Sequence, residues 1–276
     1  MTTYSVTLTQ AEQDAYQTDG VVCIRSVFTA EELAPAIQGA IDLLNEEPTP
    51  YDARLEATTR YGDNSDEGDP GRAFGGVYLS EKIPAFRELA YHPRLASFGR
   101  DLMGVKSVRF FYDQLFIRGP GSETATLWHN DLSFWPFEGE DLISCWIALS
   151  SVTPESSGVE YLAGSQHLGN IYSAPIERLK DRTRELPPDF SRPENRQGER
   201  ILSWNMEPGD VLFHHPLVLH GAGGNYRATT RIGLSIRYLG DDVKWKPRDT
   251  AMKLPRDPDV PVGSFPADDL AFPVVV

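Results

Sequence analysis

WHNDLSFW, residues 128–135, sets a histidine and an aspartate two positions apart inside a run of aromatics. On a β-strand, positions i and i+2 face the same way, so the run predicts that His129 and Asp131 aim an imidazole and a carboxylate at one point. That is half of a metal site.

Around this run the middle of the chain reads as short β-rich stretches: VRFFYDQLFIRG, TLWHNDLSFW, LISCWIALSSV, GVEYLAG, DVLFHH, LVLHG and TRIGLSIRYLG. Runs of this length, separated by Gly, Pro, Asp and Ser, predict a sandwich or jelly roll. The first third reads as helical. Thr9 with Glu12 and Thr29 with Glu32 each match a capping box, and Leu33, Ile37, Ile41 and Leu44 recur at helical spacing. VVCIRSVF reads as a strand between these helices, and PAFRELAYHPRLASFGRDLMG as a further helical stretch. Residues 48–76 are polar and rich in Asp, Gly and Pro, which predicts a long loop of the kind that serves as a lid. The proline-rich end, LPRDPDVPVGSFPADDLAFPVVV, is expected to wrap the surface. The chain is read as one domain, residues 1–276: a helical part to about 105, a β core over about 106–242 and a C-terminal wrap over 243–276.

Composition narrows the function classes. A formal net charge of −14 repels polyanions and argues against nucleic acid and anionic membrane surfaces as partners. No stretch approaches a membrane span and the opening lacks a basic, then apolar, leader, so a cytoplasmic location is expected. Cys23 and Cys145, the two cysteines, are too few for a disulfide scaffold and are read as buried thiols.

The second half of the site is expected in HHPLVLHGAGGN, residues 214–225, where His220 ends a strand just before glycines that permit a tight turn. Two histidines and one carboxylate make a facial triad for non-haem iron(II), with one face of the octahedron open to oxygen and substrates. Arg231 follows at the eleventh position after His220, and alternation places Arg231, Gly233, Ser235 and Arg237 on one strand face. An inward guanidinium needs an anion, and its fork matches the distal carboxylate of a keto acid whose other end chelates the metal. Each element alone has an ordinary alternative. An HxD pair arises by chance, Arg231 can serve a structural ion pair, and His167, His214 and His215 show that histidines stand near strands without being ligands.

Taken in order, these residues resemble the phytanoyl-CoA hydroxylase family of iron(II)/2-oxoglutarate oxygenases, which have a double-stranded β-helix core. The matching stretches are WHNDLSFWPFEGEDLISCWIAL, SSGVEYLAGSQHLG, MEPGDVLFHHPLVLHGAGGN and RIGLSIRYLGDD. The resemblance implies iron ligation by His129, Asp131 and His220, and 2-oxoglutarate binding by Arg231 with Trp146 and Gln114 beside it. One departure is Ala222, where some members have a serine that helps hold the cosubstrate, so a hydroxyl from elsewhere is expected to substitute. Because Asp131 fills the carboxylate position, hydroxylation rather than halogenation is expected, with succinate and carbon dioxide as co-products. The substrate is expected to be a small or medium-sized metabolite. Trp135, Phe134 and Phe137 are candidate pocket walls, Arg118 and Arg237 candidate partners for a substrate anion, and residues 170–200 a candidate lid or solvated loop. Two other classes remain open: a cupin-type metalloenzyme without a keto acid, and a non-catalytic binding protein on the same fold.

Overall fold

The computed structural model describes residues 7–45, 61–63, 68–176 and 179–276. Helix α1 (Gln10–Asp19) starts at a reciprocal capping box: the Glu12 N–H donates to the Thr9 hydroxyl, and the Thr9 N–H to the Glu12 carboxylate. It stops at Gly20, whose left-handed φ of 76° leads into β1 (Val21–Ile24). Helix α2 (Ala30–Asn45) begins at the matching Thr29–Glu32 pair. The third predicted helical stretch is two helices, α3 (Pro84–Ala90) and α4 (Pro93–Met103), because the residue before Pro93 is driven out of helical geometry.

The remaining strands are β2 (Tyr61–Asp63), β3 (Ala73–Val77), β4 (Arg109–Arg118), β5 (Thr126–His129), β6 (Phe137–Glu138), β7 (Leu142–Ala148), β8 (Val159–Leu162), β9 (Ile201–Leu202), β10 (Val211–His214), β11 (His220–Ala222), β12 (Arg231–Leu239) and β13 (Lys244–Trp245). They form a seven-stranded sheet in the order β1-β10-β7-β12-β4-β3-β2, a four-stranded sheet β5-β11-β8-β9, and the pair β13-β6. Neighbouring strands around the core pair antiparallel, as in a jelly roll.

Strand alternation divides the large sheet. Ile143, Cys145 and Ile147 of β7 and Ile232, Leu234 and Ile236 of β12 pack outward, against Leu33, Phe86, Leu95 and Phe98 of the helices. Trp146 and Ala148 of β7 and Leu212 of β10 face inward, toward Tyr161 and Val218 beneath the small sheet. Helices thus cover one face and free the other to line a site.

Three expectations change. Residues 48–76 include β2 and β3, which extend the large sheet; the two glycines of AFGGV disguise a wholly buried strand as a loop. Residues 48–60 and 64–67 of that expected loop lie outside the described residues. The C-terminus also does more than wrap the surface. Where β3 stops pairing at Gln114, residues 273–276 take its place beside β4, with Val108 donating to the Val276 carbonyl at 2.9 Å and Val275 to the Val108 carbonyl at 2.9 Å. Cys145 is buried as expected, but Cys23 is only partly so. Among the described residues no helix is long and apolar enough to cross a membrane.

Candidate metal and cosubstrate site

His129 and His220 are direct partners across the β5–β11 ladder, and each is held the same way. The His129 ring nitrogen Nδ1 lies 2.7 Å from the Leu127 carbonyl and the His220 Nδ1 lies 3.1 Å from that of Val218. A carbonyl only accepts, so both Nδ1 atoms carry the proton and both Nε2 atoms present lone pairs to the centre. Asp131 does not share the strand of His129, as the i, i+2 reading had it. The strand ends at His129 and Asp131 opens a 3-10 turn, Asp131–Ser133, which swings the carboxylate back to the same point. Its Oδ1 lies 3.6 Å from His129 Nε2 and 3.8 Å from His220 Nε2, and one donor atom from each of the three falls within 4.8 Å of the others. Two neutral imidazole nitrogens and one carboxylate oxygen suit a divalent transition metal of the iron type.

The second carboxylate oxygen is committed elsewhere. The Ser144 hydroxyl of β7 donates to Asp131 Oδ2 at 2.6 Å, and His214 Nε2 of β10 lies 3.2 Å from it, with the Tyr161 hydroxyl 3.1 Å from His214 Nδ1. Burial alone would push the Asp131 carboxyl up. The hydrogen bond from His214 and the positive charge of Arg237 oppose burial, and the carboxyl is held well below the usual carboxylate range. Burial, with repulsion from His129, depresses the imidazolium of His220, so it stands as a neutral ligand.

A cavity of about 400 Å³ opens over the triad. Arg231 lines it, is 2% exposed, and faces Arg118 across the β12–β4 ladder. Its Nη2 donates to the Ser157 hydroxyl at 2.7 Å and carbonyl at 2.8 Å, while its Nε has no acceptor and no carboxylate among the described residues pairs with it. Burial, and then Arg118, push this guanidinium well down from its ordinary value, a cost that an anion placed beside it would offset. Trp146 lies beneath it, with the guanidinium carbon 5.6 Å from the ring centre. The indole fits only because residue 233 is glycine; a Cβ there would collide with it. Gln114 and Trp146 flank Ser235 in register, and all three line the cavity.

Of the substrate candidates, Arg118, Arg237 and Phe134 line the cavity, and so do Pro175, Ile176 and Leu179 of the 170–200 segment, whose residues 177 and 178 lie outside the described residues. Trp135 and Phe137 do not. Trp135 is 1% exposed, donates to the Tyr112 hydroxyl at 3.0 Å and stands edge-on to Phe111, and Phe137 packs in the same cluster. The pocket-wall expectation for these two is corrected: they carry the core under the site. Ser144, Tyr161, Ser157 and His214 had no role in the sequence reading. Ser144 stands two residues before Trp146 on one strand face, a usable signal; Ser157, at a φ of 66°, sits in a turn that no spacing marks.

Comparison with known proteins agrees in kind. The family model for phytanoyl-CoA dioxygenase (PhyH) matches residues 16–233. A probable phytanoyl-CoA dioxygenase of Caenorhabditis elegans is 25% identical over 171 residues, covering 58% of this chain and 52% of that protein. The chain therefore spans about half the length of this relative. A probable alpha-ketoglutarate-dependent hypophosphite dioxygenase of Stutzerimonas stutzeri is 24% identical, covering 84% of this chain and 79% of its own. Among solved structures, the epimerase SnoN in complex with Fe3+, alpha ketoglutarate and nogalamycin RO superposes with a TM-score of 0.74 at 22% identity, over 97% of this chain and 98% of that one.

Proposed function

The chain belongs to the phytanoyl-CoA dioxygenase family, and from that premise we propose that it is an iron(II)/2-oxoglutarate-dependent dioxygenase that hydroxylates a C–H bond of a small or medium-sized free metabolite. The observation that carries this reading is the pairing of two features in one cavity: a buried His129–Asp131–His220 donor set and a buried Arg231 with no ion-pair partner among the described residues. Against a cupin-type metalloenzyme without a keto acid stands Arg231, whose cationic site such an enzyme would not require. A non-catalytic binding protein would have no need of three intact donors.

When bound, iron(II) and 2-oxoglutarate supply the oxidising chemistry: one oxygen molecule, the keto acid and the substrate become succinate, carbon dioxide and the hydroxylated product. The chain's own residues do the rest. His129, Asp131 and His220 would hold the metal from one side, and Arg231 would pair with the distal carboxylate of the keto acid. Ser157 aims that guanidinium by accepting from its Nη2. Gln114 and Trp146 would bound the keto acid, and Phe134, Ile176 and Leu179 would exclude water from the reacting face.

A cavity of this size suits a compact molecule. The net charge of −14 and the near balance of charge over residues 171–200, seven Lys or Arg against six Asp or Glu, offer no sustained basic surface for a coenzyme A thioester.

The test is iron-dependent, oxygen-consuming conversion of 2-oxoglutarate to succinate. Asp131→Ala and His220→Ala are expected to abolish it and to weaken iron binding sharply, and Arg231→Lys to raise KM for 2-oxoglutarate while leaving iron binding intact. Wild-type turnover by His220→Ala, or an unchanged KM in Arg231→Lys, would refute the assignment.

A further inference from the structure

Arg237 stands six residues beyond Arg231 on the same face of β12, roughly 20 Å along the strand at about 3.3 Å per residue. Its ladder partners are Ser144 on β7 and Tyr112 on β4. Ser144 is the residue that bonds Asp131, so Arg237 serves the metal end of the cavity while Arg231 and Arg118 face each other at the cosubstrate end.

The side chain is 4% exposed and lines the cavity. Its guanidinium carbon lies 4.4 Å from the Tyr112 ring centre and 6.0 Å from that of Phe116. It makes no hydrogen bond or ion pair with any described residue, and Nε and Nη1 are buried without an acceptor. Ring faces offset only part of the cost of desolvating a guanidinium, which regains the remainder when oxygen acceptors arrive. Nor does the loaded site supply them. The formal charges of iron(II), Arg231 and Arg118 already exceed those of Asp131 and the two carboxylates of 2-oxoglutarate, so no negative charge is left over for Arg237. Ser235, two residues back on the same face, adds a buried hydroxyl with no partner.

We infer that Arg237 is the anchor for an acidic group on the substrate, so that the enzyme acts on a small organic acid bearing a carboxylate, phosphonate or phosphinate. This rests on the dioxygenase reading and selects, among the cationic residues of the cavity, the one the cosubstrate leaves unanswered.

Two anaerobic calorimetric titrations test it on enzyme loaded with iron(II). The first measures the dissociation constant of 2-oxoglutarate. The second, with 2-oxoglutarate in place, measures binding of a panel of small carboxylic acids and phosphonates, each beside its neutral amide or methyl ester. In the wild type, at least one acid is expected to bind roughly tenfold or more tighter than its neutral counterpart. Arg237→Gln is expected to lose that preference, Arg237→Lys to keep part of it, and both to bind 2-oxoglutarate as the wild type does, with unaltered circular dichroism. Retention of part of the preference by Arg237→Lys separates a charge effect from misfolding. The inference is overturned if no acid binds, if acids and neutral counterparts bind alike, if the preference survives Arg237→Gln, or if Arg237→Gln weakens 2-oxoglutarate instead. Failure of the wild type to bind 2-oxoglutarate would be a different result, removing the dioxygenase reading itself.

Discussion

A carboxylate can chelate a metal through both oxygens or offer only one, and Asp131 is built for the second. With Ser144 and His214 on Oδ2, Oδ1 alone points between the two Nε2 atoms, which keeps a coordination position from being closed by the protein itself. Ser144→Ala and His214→Phe are each expected to weaken iron affinity by roughly 10- to 100-fold, the usual cost of removing an outer partner of a ligand, without unfolding the chain. Metal titration followed by calorimetry checks this, and unchanged affinity in both would show the network to be incidental. A neighbouring histidine sets a pH dependence. Burial, with repulsion from His167 and His214, lowers the His215 imidazolium from 6.5 to about 4, and its neutral Nδ1 accepts from the Leu217 N–H at 3.2 Å. The unfolded chain then takes up a proton below about 6.5 that the folded chain refuses until about 4, so stability falls as pH drops through that window. The loss is at most on the order of 3 kcal/mol from this residue. In the metal-free protein, His215→Asn is expected to flatten the fall in melting temperature between pH 7 and 4.5, and a wild-type slope in that variant would refute the linkage.

At the scale of elements, the sequence showed some strands plainly and hid others for physical reasons. β12 declares itself because Ile232, Leu234 and Ile236 alternate with Arg231, Gly233, Ser235 and Arg237, and the sheet places the first set against helices and the second at the cavity. β3 is hidden because both its faces are buried and two of its residues are glycine, so period-2 patterning vanishes. The HxD pair was legible as chemistry, yet its geometry was not: a turn, rather than the strand, brings Asp131 to His129. Long-range partners such as Ser144 and His214 are joined to Asp131 only by sheet order, which no local spacing encodes. The dependence of Trp146 on Gly233 is a further cross-strand effect. Gly233→Ala is expected to displace the indole, cost about 1–3 kcal/mol as overpacking does, and raise KM for 2-oxoglutarate. Tryptophan fluorescence and denaturant unfolding measure both parts; a neutral outcome would mean that the ring has another place to go.

Across the whole molecule, the site hangs between two cores: the helix-backed face of the large sheet and the aromatic cluster of Phe111, Tyr112, Trp135, Phe137 and Phe272. The second includes residues from the far end of the chain, and its stability bears on the site because Tyr112 is at once a cluster member, the acceptor for Trp135 and the ring beneath Arg237. Phe272 is 1% exposed and stands edge-on to Phe111 at 6.0 Å and Phe137 at 5.5 Å. It is carried there by the C-terminal segment, whose Pro273 needs no N–H because it contributes its carbonyl to Phe110 at 2.9 Å. Deleting a buried phenyl ring leaves a cavity that neighbouring rigid rings cannot collapse to fill, so Phe272→Ala is expected to cost about 3–5 kcal/mol. Phe272→Leu, which refills most of the volume, is expected to recover much of it. If the C-terminal segment merely lay on the surface, both variants would unfold at the wild-type denaturant midpoint, and chemical denaturation of the three proteins decides between the two descriptions.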